Sequence, residues 1–518
     1  MHLLTRLVLA AAVATAGLVT TPLAAGAATC PAPGGVSVPE ASGAGDVVFR
    51  GHGWGHGLGL SQYGAQGAAS LGCTYGQILT TYYRGASVTS ATMPSTVYLR
   101  MLAKGVRADV TAEDGAVTWQ LVDSTGVHGV ASQPQGATWR LERDPTNTKF
   151  RLYDLTNNKE AWVGGAVDQS LRLYHSGTVV HLVTSTWDSA TSAYKTYLDR
   201  RLRWDYTRFD YDGSLLDAVQ VIQDNTFGTG MQKYLWGIAE MPTLFPTEAL
   251  KAQVVAARTY AARRGGGSVT APLMPTPADQ NYTGYAKESE DAQYGYRWKG
   301  AVDATDGQVL KDSSGSYLIP YYSSSMGGYT EDVRYVGWSS TAVGYLSAVD
   351  DSRWEMASSN KTNYRSWAVG FSWTDLASRL GFSSVSSISV APRGTAARLA
   401  GVKVVGTRGG VFGTYYLTGW DVRQRLGLLS PGFTVDVTAV GGPGAQPIVG
   451  DWNGDGHDDL GWYKDGNVAL DMGGANVLRF RYGSAGDVAV VGDWNGDGRD
   501  EIGIVRGNVW YLRKSLTS

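Results

Sequence analysis

Residues 234–264, YLWGIAEMPTLFPTEALKAQVVAARTYAARR, constrain this chain more than any other segment. They put one carboxylate, Glu240, at the end of a short apolar helical run, with Pro242 two residues on. A proline disfavours helical geometry at the residue before it, so the helix is expected to stop by Met241, with Glu240 at or near its last turn. The negative end of a helix dipole disfavours an anion there. Trp236, Met241 and Phe245 would add an apolar wall and desolvate the acid. Both effects raise a carboxyl pKa, as a general acid working near neutral pH requires. A solvated helix-end glutamate is the plainer alternative.

A second helix should follow, with Pro246 in its first turn and Gly265 terminating it after Arg263 and Arg264. Leu250, Val254, Ala257 and Ala261 form one apolar stripe. Lys251 and Arg258 lie off that stripe, facing either a cleft or water. Near the start, FRGHGWGHGLGLSQYGAQGAA (49–69) packs too many glycines for an ordinary helix. Without a helix, His52 and His56 lose the spacing of a metal pair, and a polar, aromatic, sugar-facing loop carrying His56, Gln62 and Tyr63 is the better reading.

Three motifs together resemble the SpoIID/LytB family, named for stage II sporulation protein D and the LytB amidase enhancer. These are the Glu-Met-Pro turn with its ALKAQ…AARTYA helix, YYSSSMGGYTE at 321–331, and GHGLGLSQYGA at 55–65. YGQILTTYYRGASV (75–88) follows the family pattern as well. The resemblance covers about 47–437 and is weak over 89–201. In most members the glycine–histidine segment comes last, whereas here it comes first, which reads as a circular permutation. That order implies that 47–50 and 433–437 are neighbours in space, because permutation needs the original ends close together.

Arg6 and the apolar run 7–19, ending in Ala25, Gly26 and Ala27, read as a secretory signal peptide (1–27) with no membrane span after cleavage. The expected location is secreted or cell-wall associated. The two cysteines, Cys30 and Cys73, would pair in an oxidising compartment, and they leave no third thiol for a thiolate zinc site. Some relatives carry zinc, and no matching ligands stand here. A net charge of −2 with no basic stripe argues against nucleic acid.

Strand-like runs VYLRMLA, VTWQLV, FRLYDL and VVHLV suggest an inserted β-module over 89–201, a structural module or a groove wall. RLRWDYTRFDYDGSLLDAVQVI (201–222) is similar to the family's strand pair leading to Glu240. GGPGAQP (441–447) reads as a linker to a repeat, 448–518, in which GDWNGDG recurs at an offset of 42 residues. Its D-x-N-x-D-G spacing is a calcium-loop pattern. The ligands would be Asp451, Asn453, Asp455, the His457 carbonyl and Asp459, then Asp493, Asn495, Asp497, the Arg499 carbonyl and Glu501. Plain hairpin turns without metal are the alternative. The units resemble FG-GAP/VCBS blades, and two cannot close a propeller.

The expected fold is therefore α+β: a β-rich SpoIID-like core, 28–440, with a short helical pair carrying Glu240, the β insertion, and a small all-β tail. The resemblance implies a lytic transglycosylase of peptidoglycan glycan strands with Glu240 as acid and base. It needs no catalytic cofactor, and calcium would serve the tail alone. Lys251, Gln253, Arg258, Tyr322, Ser324 and Ser325 are candidate substrate contacts. The rival implication is a non-catalytic enhancer that binds glycan and stimulates a cell-wall amidase.

Overall fold

The structure is a computed structural model describing residues 30–38, 46–146, 150–166, 169–336, 338–360, 362–393, 399–437, 445–472 and 477–516. The expected signal peptide lies outside them, as does most of the expected linker. Strands predominate over helices. Among the described residues no helix is long and apolar enough to cross a membrane.

Two six-stranded antiparallel sheets form the largest β-structure. Strands 107–112, 138–143, 150–154, 159–164, 180–188 and 193–202 make one; strands 96–105, 117–123, 126–133, 170–174, 206–212 and 215–223 make the other. Their inward residues alternate as a pleated strand requires: Leu171, Leu173, Phe209, Val110 and Leu182 are all buried. The segment expected as a β insertion is built of strands, but it is not self-contained. The pair 206–212 and 215–223, expected to belong to the family core, shares a sheet with strands of the insertion.

The helices that carry the site dock on the end of this β-structure and share its hydrophobic core. Thr229 caps helix Gly230–Trp236 through a reciprocal box with Gln232. Pro246 precedes helix Thr247–Arg263, and Gly265, at φ +60, follows its end. The whole expected stripe of this helix is buried, but so is nearly every other face. Short-chain residues (Ala252, Ala256, Ala262) let neighbours pack against it all round.

A second core gathers around strand Val47–His52, which lies between Ser366–Phe371 and Phe433–Val437. Val47 faces Val437 and Gly51 faces Phe433 in antiparallel register, so the two segments expected to be neighbours are paired strands. Cys30 is bonded to Cys73. The tail forms a four-stranded and a three-stranded sheet around a third core containing Ile448, Trp452, Tyr463 and Ile502. Its first strand, Gln446–Gly450, begins inside the expected linker. The tail is not free of the rest: Arg479 stacks on Trp373 of the second core at 4.8 Å.

Candidate active site

Glu240 does not sit in a helical last turn. The helix ends at Trp236 with Gly237 as its cap, and Glu240 follows in an irregular turn. A bridge between Ile238 and Tyr282 and a bond from Ala239 N–H to Asn281 O (2.8 Å) bind this turn to the segment after 279. The backbone N–H of Asn281 then donates to Glu240 Oε1 at 2.5 Å. The helix dipole is therefore not what acts on this acid. Burial pushes the Glu240 carboxyl above the usual glutamate range, while hydrogen bonds from Asn281 N–H and the Tyr322 hydroxyl pull it back. The carboxyl is half-buried by area but largely surrounded by protein, so the desolvation outweighs the two bonds.

A polar chain stands behind it. Tyr234 Oη donates to Gln280 Oε1 (2.7 Å), and Gln280 Nε2 donates to Tyr322 Oη (2.9 Å), which in turn donates to Glu240. The fixed direction of these bonds aims the Tyr322 proton at the carboxyl. Neither Gln280 nor Asn281 is visible as a site residue in the sequence. They lie about 40 positions beyond Glu240 in a segment without periodicity, and the Ile238–Tyr282 bridge with the Ala239–Asn281 bonds brings them back.

The glycine segment reaches the same place. Strand Leu60–Ser61 pairs in parallel with Tyr322–Ser323. The approach is too close for side chains: a Cβ on Gly59 (φ +69) would lie 2.0 Å from Tyr321 O, and one on Gly55 (φ +125) 2.5 Å from Ser323 Cβ. His56 Nε2 contacts Tyr322 O at 3.0 Å, and its Nδ1 accepts from Leu58 N–H at 3.0 Å. His56 thus supports the strand that presents Tyr322. Tyr63 N–H donates to Ser324 O (3.0 Å), and its ring meets Phe245, just beyond the Glu240 turn, at 5.4 Å. Met241 and Phe245 are buried as expected, but Trp236 turns elsewhere, its indole bonded to Asp303.

Other candidates are engaged away from a cleft. Arg258 is fully buried, and its guanidinium donates to the carbonyls of Val302 (3.0 Å), Thr305 (2.6 Å) and Gln308 (3.2 Å). It closes the C-terminal end of helix Arg297–Ala304, where the dipole favours a cation. Its expected role as a substrate contact is corrected, because no face of it is open. Ser325 is likewise buried, donating to Glu355 while Asn360 Nδ2 donates to its Oγ at 3.0 Å. Glu355, a buried carboxylate that the motifs do not announce, also accepts from Ser61 Oγ (3.0 Å) and so clamps the glycine segment to 323–325. Lys251 pairs with Glu248 (2.8 Å) beside Tyr75. Gln253 is buried and accepts from Gln62 Nε2 at 3.3 Å, leaving its own Nε2 without a hydrogen-bond partner among the described residues. Ser324 is half-buried.

The tail loops repeat one geometry. Asp451 accepts from Gly454 and Gly456 N–H (2.7 and 2.8 Å), as Asp493 does from Gly496 and Gly498 (2.6 and 2.9 Å). Asp455 and Asp497 accept from the N–H of His457 and Arg499 (2.9 and 3.0 Å). Asn453 and Asn495 donate to Asp459 and Glu501 (2.7 and 2.6 Å). Desolvation, reinforced by the neighbouring acids, holds the Asp459 and Glu501 carboxyls above their usual range. These are the loops expected to take calcium, and both acids already accept from an asparagine. Among the described residues, however, no three His, Cys, Asp or Glu side chains are placed as a group that could hold one.

Residues 226–311 match the family of stage II sporulation protein, SpoIID. Over 114 residues, 22% of this chain, the sequence is 45% identical to the amidase enhancer of Bacillus subtilis (strain 168), covering 14% of that protein. It is 30% identical over 217 residues to stage II sporulation protein D of the same organism, covering 39% of this chain and 59% of the relative. A similar match is found to stage II sporulation protein D of Bacillus amyloliquefaciens. The chain therefore spans less than two thirds of the length of each of these relatives. No solved structure matches.

Proposed function

Because the chain carries a SpoIID/LytB-family domain, we propose that it is an exported lytic transglycosylase that cuts peptidoglycan glycan strands, with Glu240 as the catalytic group. The observation that carries this reading is a single carboxyl raised by burial and held by one N–H and one phenol, neither of which competes as a second acid. Glu240 would donate its proton to the glycosidic oxygen as the C1–O bond breaks. The sugar's own C6 hydroxyl oxygen would then close onto C1, and its proton would pass to the Glu240 carboxylate. The product is a 1,6-anhydro end and the acid is regenerated. Water is not the nucleophile, so the second carboxylate of a hydrolase has no task. Tyr322, oriented by Gln280, stabilises the carboxylate between the two proton transfers. Tyr63, Gln62 and Ser324 are the remaining contacts proposed for the glycan, and Gln253, fully buried, holds Gln62 from behind.

The test is mass spectrometry of glycan strands incubated with purified protein. Glu240→Gln preserves shape and the Asn281 bond but removes the titrating proton. Release of anhydro ends should fall by ~100-fold or more, and undiminished release would sink the assignment. The amidase-enhancer relative supports a second reading, in which the protein binds glycan and stimulates a cell-wall amidase. Wild type that releases no anhydro ends yet accelerates an added amidase would establish that role instead. We further propose that the two tail loops take calcium, supported by their duplicated geometry and mutually repelling acids.

A further inference from the structure

A concavity of about 300 Å³ opens where the turn between strands Ala193–Leu202 and Tyr206–Asp212 meets helix Tyr285–Gln293. None of the groups that hold Glu240 lines it. The helix separates the two places. Lys287 turns toward the Glu240 side, bonding Met241 O (3.2 Å) and Thr243 Oγ1 (2.5 Å), while Glu288 faces the concavity.

Its walls are aromatic and firmly supported. Trp204 lies 5.5 Å from Trp236 and 5.8 Å from Phe227, centre to centre. Both indole N–H groups are committed, that of Trp204 to Glu288 Oε1 (2.8 Å) and that of Trp236 to Asp303 Oδ1 (3.3 Å). The rings therefore offer no donors, and because Lys299 covers the Trp236 ring, the aromatic surface on offer is that of Trp204 and Phe227. Asp205, at φ +57, fixes the turn that carries Trp204 by accepting from Lys233 Nζ (2.7 Å), Gln223 N–H (2.9 Å) and Asn225 Nδ2 (2.5 Å). Asn225 in turn accepts from Phe227 N–H at 2.9 Å. At the rim Phe227 and Tyr296 remain 54% and 55% exposed, although their backbones are held in ordered turns. Rigidly held aromatic surface left open to solvent is a feature of recognition sites.

The charges inside are matched. The Arg203 guanidinium lies 4.1 Å from the Tyr285 ring centre, and the Lys299 ammonium 3.4 Å from that of Trp236. Both act on the Glu288 carboxylate, and each also has an acid of its own, Asp114 for Arg203 (3.8 Å) and Asp303 for Lys299 (3.4 Å), while Asp291 is occupied by the N–H groups of Trp298 and Lys299. A charged ligand finds no unmatched countercharge, and a wholly apolar one would cut the Glu288 carboxyl off from water with the Trp204 indole as its hydrogen-bond donor. A neutral molecule with one apolar face and several hydroxyls suits both walls. The geometry points to a saccharide ring bound here, lying across the joined surface of Trp204 and Phe227 with a hydroxyl on Glu288, at a site separate from the catalytic turn. Burial pushes the Glu288 carboxyl up to about 7, so near neutrality it can accept from a hydroxyl or donate to one. Arg203 and Trp204 sit in the turn that links the two six-stranded sheets, just beyond the expected β insertion.

The choice of an N-acetylated sugar as probe rests on the glycan reading above. Calorimetry of the mature full chain with an N-acetylglucosamine tetramer, in a Glu240→Gln background that stops turnover, tests the site. Phe227→Ala with Tyr296→Ala alters only exposed side chains and should weaken binding ~10-fold or more, the scale for truncating a recognition aromatic. Glu288→Gln should weaken it too. No binding of the tetramer, or an affinity untouched by the rim pair, overturns the proposal. Displacement of the tetramer by a free stem peptide would make the pocket a peptide site and overturn it as well. If the tetramer binds and the rim pair weakens it, yet wild type cuts no glycan, the pocket stands and only the catalytic reading falls.

Discussion

Replacing Glu288 by glutamine tests how strongly the fold perturbs a buried acid, with a magnitude that follows from the structure. Burial raises the carboxyl from an ordinary 4.5 to about 7, and the Trp204 indole, Arg203 and Lys299 reduce the rise without cancelling it. Between those two pH values the folded chain binds more protons here than the unfolded chain, so stability falls as pH rises. The contribution is full below pH 4.5 and lost once pH has risen through 7. At 1.36 kcal/mol per pKa unit the swing is about 3 kcal/mol, and partial exposure to solvent brings the expected range to ~1–3 kcal/mol. Glutamine keeps an oxygen for the Trp204 indole and does not titrate. Urea unfolding of wild type and Glu288→Gln, followed by tryptophan fluorescence from pH 4.5 to 8, reads the difference at constant m-value. Wild type should lose ~1–3 kcal/mol relative to the variant across that window. A difference that stays flat with pH would refute the reasoning, since it would mean that the carboxyl is not desolvated.

Two further outcomes follow from buried and exposed charge. Arg258→Met should leave the carbonyls at 302, 305 and 308 without their donor and cost about 2–4 kcal/mol; urea midpoints equal to wild type would show that the guanidinium is not a structural cap. Calcium should raise the melting temperature of the tail in the full chain, by an amount corresponding to about 2.7 kcal/mol at 100 times its dissociation constant. Calorimetry with no calcium uptake would reduce the two loops to ordinary turns.

Local chemistry made several features of this chain legible. Pro246 and Gly265 bracketed a helix because their backbone preferences act within one or two residues. Alternating apolar residues announced the strands from 96 to 188, and the glycines of 51–59 announced a loop, because both signals are carried by consecutive residues. The motif order also placed 47–50 beside 433–437, which the strand pairing bears out.

What surrounds each side chain was decided at longer range. Glu240 looked like a helix-end acid, yet its pKa is set by burial and by Asn281 and Tyr322, residues brought to it from far along the chain by the Ile238–Tyr282 bridge, the Ala239–Asn281 bonds and the strand Tyr322–Ser323. Arg258 stood off the apolar stripe and so looked free to bind a ligand, but a neighbouring helix end covers that face and takes its charge. The pocket around Glu288 has no sequence signature, because its walls come from 203–204, 227, 236 and 285–299. The stops set by Pro246 and Gly265 and the alternation along a strand are carried by consecutive residues, and these the sequence by itself determines. Desolvation and charge matching depend on which distant surfaces are pressed together, and only the tertiary structure decides that.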